Sequence, residues 1–153
     1  LADLDQYEVR QVIHSIDRNL IAECSIMAFL RLSAPDAGTH EMMTVLHDVG
    51  LWSVVEQFPD GLDTRLSVLG APFQSVEVLL LKLAAAILAH PKVLVLNQRF
   101  DNVLGHAREH IMQVLEQQPF TVLYFTSYPD DRFFDGCLQL TLTDNDPEAQ
   151  GND

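Results

Sequence analysis

The sequence predicts an α/β fold, in which a mainly parallel sheet carries an inserted helical lobe. Three observations support this prediction. Residues 93–97 and 120–126 are apolar, β-prone runs, and helical patterns precede and separate them. Residues 23–60 carry helix signals only, so the lobe is expected at about residues 23–75. Because parallel strands need crossover connections and are usually buried on both faces, continuous apolar runs that alternate with helices favour a parallel sheet.

Length and composition narrow the class of protein. The chain has 153 residues, 48% of them hydrophobic, which suits one domain with its own core. Its formal net charge of −13 would repel phosphate backbones, which excludes nucleic acid as a partner.

The two cysteines, Cys24 and Cys137, are too few for a disulfide framework, so we expect a reducing cytoplasm. Neither has a visible activating partner in the sequence, and we interpret both as structural. Since the chain begins at Leu1 without a signal peptide, we expect a fragment of a longer protein.

Each element of the first half follows from a local pattern. Residues 12–16 alternate and predict a short strand. Ser25 is expected to cap a helix that runs to about Leu32, and Thr39 to cap a second helix that Gly50 ends. Residues 52–58 predict a further short helix, and the segment "PDGLDT" predicts a turn-rich break. Met42, Met43 and Trp52 are expected in the core of the lobe.

The second half alternates between strand and helix patterns. Residues 75–89 are apolar nearly all round and predict a helix buried on most sides, followed by the strand at 93–97. The next helix ends before Pro119, and its predicted apolar stripe consists of Val103, Ala107, Ile111, Val114 and Leu115. Residues 120–126 predict a strand that is covered on both faces, and "CLQLTLT" at 137–143 predicts a last strand near an edge. Residues 127–136 are expected to form a loop with a short helix, and residues 146–153 an acidic flexible tail.

His106 and His110 stand four residues apart on a predicted helix, as metal ligands can. No third ligand is evident in the sequence, and Arg108 and Glu109 lie between the two histidines. We therefore predict no metal site and interpret these residues as a solvated helix face.

The order of these segments resembles the C-terminal two-thirds of the ATP-binding domain of ABC transporters, and most closely the exporters of the type I, or RTX-type toxin, secretion class. The most specific segment is "DVGLWSVVEQFPDGLDTRLSVLG", which is similar to the stretch that precedes the signature motif in that class. "CSIMAFL" resembles the opening of the helical lobe, and "LAAAILAHPKVLVL" resembles the stretch that leads to Walker B. The resemblance covers residues 1 to about 143, within a predicted domain of residues 1–145, and implies a P-loop NTPase-like fold. No Walker A pattern occurs in these residues.

The resemblance also assigns the family's functional positions, and this chain departs from the family at one after another. The Walker B aspartate falls on Asn97, the catalytic glutamate on Gln98 and the switch histidine on Ser127. The Q-loop glutamine falls on Arg18, or on Asp17 if a one-residue gap lies nearby, and the D-loop begins at Asp101. The signature motif falls on five consecutive residues, which are Phe73, Gln74, Ser75, Val76 and Glu77.

These replacements remove the chemistry that ATP hydrolysis needs. Asn97 offers a neutral carbonyl where Mg²⁺ is usually held by a carboxylate. Gln98 has no basic oxygen that could take a proton from water, and Ser127 lacks the imidazole. Glu77 would stabilise the first turn of its helix through the dipole and would repel a phosphate there. We therefore predict no functional catalytic residue and no cofactor in this chain, whereas the family binds ATP and Mg²⁺.

The resemblance implies a degenerate, inactive ATP-binding domain of an exporter-like protein with a structural or regulatory role. Its implied partners are another ATP-binding-type domain and the membrane-spanning domain of an exporter, at the cytoplasmic face of the inner membrane. Two alternatives stay open: a soluble interaction module on the same fold, and a weakly active ATPase in which Asp101 substitutes as the nearby acid. Taken alone, Asn97 and Gln98 would suit an ordinary strand end, and the degenerate domain is favoured only by the whole spaced pattern.

The strand that leads into Walker A in the family lies next to the switch strand, and this chain has no residues left to supply it. We therefore expect the strands at 12–16, 93–97 and 120–126 to pair side by side. The edge at 120–126 would then be covered either by strand 137–143 or by a second chain.

Overall fold

A computed structural model of the chain describes residues 13–16, 21–128 and 132–140. In chain order the elements are β1 (Ile13–Ile16), α1 (Ile26–Ser33), α2 (Thr39–Asp48), α3 (Trp52–Val55), a 3₁₀ helix (Gly61–Asp63), α4 (Ser75–Leu88), β2 (Val93–Leu96), a second 3₁₀ helix (Gln98–Asn102), α5 (Gly105–Glu116) and β3 (Thr121–Tyr124). The three strands form a parallel sheet in the order β1-β2-β3. This confirms the α/β class and the predicted side-by-side pairing.

The two faces of the sheet are buried to different extents. The register aligns Ile16, Leu96 and Tyr124 on one face, where Leu96 is fully buried. It aligns Val95 and Leu123 on the other face, where Leu123 is 48% exposed. Because crossovers between parallel strands of one sheet are right-handed as a rule, two successive crossovers in the order β1-β2-β3 are expected to place α4 and α5 on the same side of the sheet. The prediction that residues 120–126 are covered on both faces is wrong, because Leu123 and Phe125, on the same face, are about half exposed.

The helical lobe follows the predicted order of helices, with two corrections. Ser25 caps α1 as predicted, since its Oγ accepts a hydrogen bond from the Ala28 N–H at 3.2 Å. Thr39 does not cap α2: Gly38 holds the extended N-cap conformation and Thr39 is already the first helical residue. Met42 is fully buried as expected, but Met43 is 36% exposed, because the next residue along a helix points about 100° away.

The most buried element is α4, as its nearly uninterrupted apolar sequence predicts. The residues of α4 that the structure buries are Val78, Leu80, Leu81, Leu83, Ala84, Ala85, Ala86, Ile87 and Leu88. They contribute to one hydrophobic core shared with α1, α2, the sheet and α5.

In α5 the predicted stripe is correct at Ile111 and Leu115, which are buried. It is wrong at Ala107, which is exposed, and Val103 is buried but precedes the helix.

The predicted last strand is not formed in residues 137–140, and residues 141–143 lie outside the described part. Leu138 is 92% exposed and Leu140 is 80% exposed, so the alternating pattern has no surface to pack against. The preceding segment instead packs towards α5 and the inner face of β3. The Phe134 ring lies 6.0 Å from that of Tyr124, and Arg132 donates to Glu109 at 3.4 Å. The predicted short helix at 127–136 is absent from its described residues, and the tail at 146–153 lies outside them.

No helix within the described ranges combines the length and the apolar character needed to cross a membrane.

Candidate functional site

Polar side chains converge at the carboxyl ends of β2 and β3, the edge at which open α/β sheets bind their ligands. Asp101, in the 3₁₀ helix after β2, is the centre of this group, and its side chain is only 10% exposed. Its Oδ1 accepts hydrogen bonds from the Tyr124 hydroxyl at 2.5 Å and from Thr126 Oγ1 at 2.6 Å. Its Oδ2 accepts from the backbone N–H of Ser127 at 3.1 Å. The carboxylate therefore ties the segment after β2 to the end of β3.

Arg108 of α5 adds a positive charge to this group. Its guanidinium lies 3.7 Å from Asp101 Oδ1, stacks over the Tyr124 ring at 5.4 Å and donates to the Tyr128 carbonyl at 3.3 Å. Only 16% of the Arg108 side chain is exposed, so its interpretation as part of a solvated helix face is wrong. A charged side chain at this depth requires a partner, and Asp101 supplies it.

Burial and hydrogen bonds together shift the pKa values of Asp101 and Tyr124. Burial raises the pKa of Asp101, but the bonds from Thr126, Tyr124 and the Ser127 N–H, together with the Arg108 charge, outweigh burial and leave that pKa lowered. Burial and the hydrogen bond to Asp101 raise the pKa of Tyr124 to about 12. Asp101 is therefore an anion whose acceptor positions are mostly filled, which makes it a poor proton acceptor.

We expect the contribution of Asp101 to stability to depend on pH. Its folded-state pKa lies below the unfolded value of about 3.9, so the stabilisation is present above that value and is lost as pH falls through the folded-state pKa. Asp101→Asn, which offers one acceptor oxygen and no charge, should lower the free energy of unfolding by about 1 to 3 kcal/mol at pH 7. Urea unfolding at pH 7 and at about pH 2.5 measures this difference, which should shrink in acid.

The matched control is Asp36→Asn, because Asp36 is exposed on the loop after α1. That change should alter the free energy of unfolding by less than about 0.5 kcal/mol at either pH. An Asp101→Asn difference that stays constant from pH 7 into acid would contradict the assignment of Asp101 as an anion held by these donors.

The three positions that the resemblance assigns to catalysis lie at this same edge of the sheet. Gln98 Nε2 donates to Ser127 Oγ at 3.2 Å, so the positions of the family's glutamate and histidine contact each other directly. Asn97 caps the 3₁₀ helix, since its Oδ1 accepts from the Arg99 N–H at 3.0 Å. The amide carbonyl of Asn97 thus has a structural partner within its own turn.

The five residues that the resemblance assigns to the signature motif surround the N-terminus of α4. Phe73 is buried and its ring packs 5.4 Å from that of Phe58. Gln74 is the N-cap, and it forms a reciprocal capping box with Glu77, whose Oε2 accepts from the Gln74 N–H at 2.7 Å. Ser75 begins the helix, and Val76 is 37% exposed on its first turn. A carboxylate of the chain itself therefore occupies part of the hydrogen-bonding capacity of this helix end.

The resemblance singles out Asp101 as a D-loop position, but the sequence does not predict the hydrogen bonds that hold it. Tyr124 belongs to an apolar run of the sequence, and Thr126 has no predicted role. The chain order nevertheless indicates that these residues lie close together, because the residues that follow two neighbouring parallel strands meet at one edge of the sheet. Arg18, to which the resemblance assigns the Q-loop glutamine, and the alternative Asp17 lie outside the described residues.

The two histidines of α5 have separate protein partners. His106 Nδ1 lies 3.6 Å from Glu109 Oε2, and His110 Nε2 lies 2.7 Å from the carbonyl oxygen of Asp48 at the end of α2. His110 therefore joins α5 to the helical lobe.

Comparisons with protein-family models and with curated proteins found no match for this chain.

Proposed function

We propose that this chain is the C-terminal part of a degenerate ATP-binding domain of an ABC exporter-like protein, related to type I toxin secretion, and that it has a structural or regulatory role without ATP hydrolysis. The observation that carries the proposal is the mutual satisfaction of polar groups at the carboxyl ends of β2 and β3. Gln98 bonds Ser127, Asn97 bonds its own turn, and Asp101 bonds β3 and the residues after it.

The arrangement of Asp101 argues against the alternative of a weakly active ATPase. An acid that replaces the family's carboxylates must reach a metal ion or an attacking water. Asp101 directs Oδ1 to two hydroxyl donors and Oδ2 to a backbone N–H, and Arg108 lies beside it. Its lowered pKa further reduces its ability to take a proton. We infer that Asp101 stabilises the strand ends.

The N-terminus of α4 supports the same proposal. Free N–H groups and the positive end of the dipole make such a terminus favourable for a phosphate. Here the Glu77 carboxylate accepts the Gln74 N–H at 2.7 Å. The capping box therefore stabilises the helix and places a negative charge where a phosphate would approach.

The proposed partners follow from the proposed class. A domain of this kind pairs with another ATP-binding-type domain and docks on the membrane-spanning domain of an exporter, at the cytoplasmic face of the inner membrane. The net charge of −13 makes nucleic acid an unfavourable partner.

Titration calorimetry with ATP and Mg²⁺ tests the proposal, and we expect no binding or a dissociation constant above about 1 mM. Phosphate release should stay at background for this chain. It should also stay at background for the double variant Asn97→Asp/Gln98→Glu, because two restored carboxylates supply neither the histidine nor a phosphate-binding helix end. Micromolar affinity, or phosphate release that Gln98→Ala abolishes, would overturn the proposal.

A further inference from the structure

Among the described strands β3 lies at the edge of the sheet, and half of its backbone groups point away from β2. Thr121 N donates to the Lys92 carbonyl and Phe125 N to the Leu96 carbonyl, each at 2.9 Å. Since backbone groups alternate in direction along a strand, the N–H and C=O of Val122 and Tyr124 face the outer edge. Within the part of the chain that is described, no strand pairs with this edge.

The outer edge of β3 lacks the features that normally keep edge strands apart. The segment "PFTVLYFTSY", residues 119–128, contains no charged residue, although the whole chain has a net charge of −13. Natural edge strands commonly carry lysine or another charge that opposes pairing. Leu123 is 48% exposed and Phe125 is 50% exposed on the face that no helix of the described chain covers. Towards the described residues, the strand therefore offers both backbone groups without a strand partner and exposed apolar side chains.

We propose that β3 pairs antiparallel with β3 of a second copy of this chain, about a two-fold axis that passes through Leu123. In this register Val122 faces Tyr124 of the second copy, Leu123 faces its counterpart, and Thr121 faces Phe125. Both unequal pairs combine an aromatic with a β-branched side chain, which is a favourable combination across strands. A two-fold axis requires such self-complementarity.

The direction of the backbone groups selects the same register. In an antiparallel ladder the hydrogen-bonded pairs must consist of residues that face each other. With the axis at Leu123, Val122 of each copy pairs with Tyr124 of the other copy. Every residue of β3 whose backbone groups face the outer edge then has a partner of the same kind. An axis through Val122 would place Tyr124 opposite a position outside the strand. An axis through Tyr124 would do the same to Val122. The product is a continuous six-stranded sheet in which Leu123 and Phe125 of both copies lie on one face.

Charge elsewhere on the molecule sets the conditions for pairing. Two chains of net charge −13 repel each other at long range, and salt screens that repulsion without affecting the uncharged strand.

Sedimentation velocity should show a concentration-dependent dimer whose affinity increases between 20 mM and 500 mM salt. Leu123→Lys places like charges opposite each other on the axis and should weaken the dimer at least about tenfold. The control Leu104→Lys, at a side chain that is 74% exposed and does not belong to β3, should leave it unchanged.

Cysteine cross-linking tests the register directly, in a background in which Cys24 and Cys137 are serine. Non-hydrogen-bonded partners have Cα atoms about 4.5 Å apart, within the range that a disulfide spans. Leu123→Cys should therefore cross-link to its counterpart under mild copper-catalysed oxidation. Phe125→Cys should not, because the two copies of position 125 lie roughly 14 Å apart along the strands.

The results that would overturn the pairing are distinct from any result with nucleotide, since none of the three experiments contains ATP. A monomer at all concentrations in 500 mM salt would overturn it. A dimer that Leu123→Lys leaves intact, or cross-linking at Phe125→Cys but not at Leu123→Cys, would overturn it as well. Slow amide exchange at Val122 and Tyr124 in a dilute, monomeric sample would assign the edge to another segment of the same chain and would also contradict the proposal.

Discussion

Replacing Phe100 with alanine should lower the free energy of unfolding by about 3 to 5 kcal/mol, a large part of the total stability of a domain of this size. Phe100 is among the largest fully buried side chains, at 1% exposure, and it projects from the 3₁₀ helix between β2 and α5 into the core. Its removal leaves a cavity beneath the segment that carries Asp101, so both the packing and the position of that carboxylate are affected. Urea unfolding followed by circular dichroism measures the effect.

Leu104→Ala is the matched control for Phe100→Ala, since Leu104 lies four residues later and is 74% exposed. It should change the free energy of unfolding by less than about 0.5 kcal/mol. Phe100→Leu keeps part of the apolar volume and should retain part of the stability. A loss below about 1 kcal/mol for Phe100→Ala would show that the segment after β2 is not anchored by this ring.

Gly70→Ala should lower the free energy of unfolding by about 2 to 5 kcal/mol, because two effects add. Gly70 has φ +92°, a conformation that L side chains rarely adopt. A Cβ there would also lie 2.3 Å from Cγ2 of Val78, a buried and branched side chain on α4 that has little freedom to move. The tight turn before α4 therefore requires glycine both for its backbone angle and for its contact with the helix. Thermal and urea unfolding measure the loss.

Two comparisons separate these effects. Gly50→Ala has a similar backbone angle, φ +76°, with no atom within 4 Å of the added Cβ, so it should show only the conformational loss of about 1 to 2 kcal/mol. In a Val78→Ala background, Gly70→Ala should be less harmful, because the clashing methyl group is gone. Strict additivity of the two changes would show that the contact with Val78 is not the cause.

Local patterns were enough to predict most elements of this fold. The run of apolar residues in α4 predicted a helix buried on most sides, and Ser25 predicted the start of α1. The identities and spacing of Asn97, Gln98 and Ser127 are also read directly from the chain, because they require no structure. These features depend on interactions within one element or on the chain order alone.

The tertiary structure decided which surfaces are covered and which polar groups meet. Leu123 has the sequence context of a buried strand, yet it is half exposed, because successive crossovers put both covering helices on the other face. Asp101 is bonded by Tyr124 and Thr126, more than twenty residues later, because the ends of parallel neighbours meet at one edge of the sheet. Residues 137–140 alternate like a strand but form none, since backbone pairing needs a partner surface that a local pattern cannot specify.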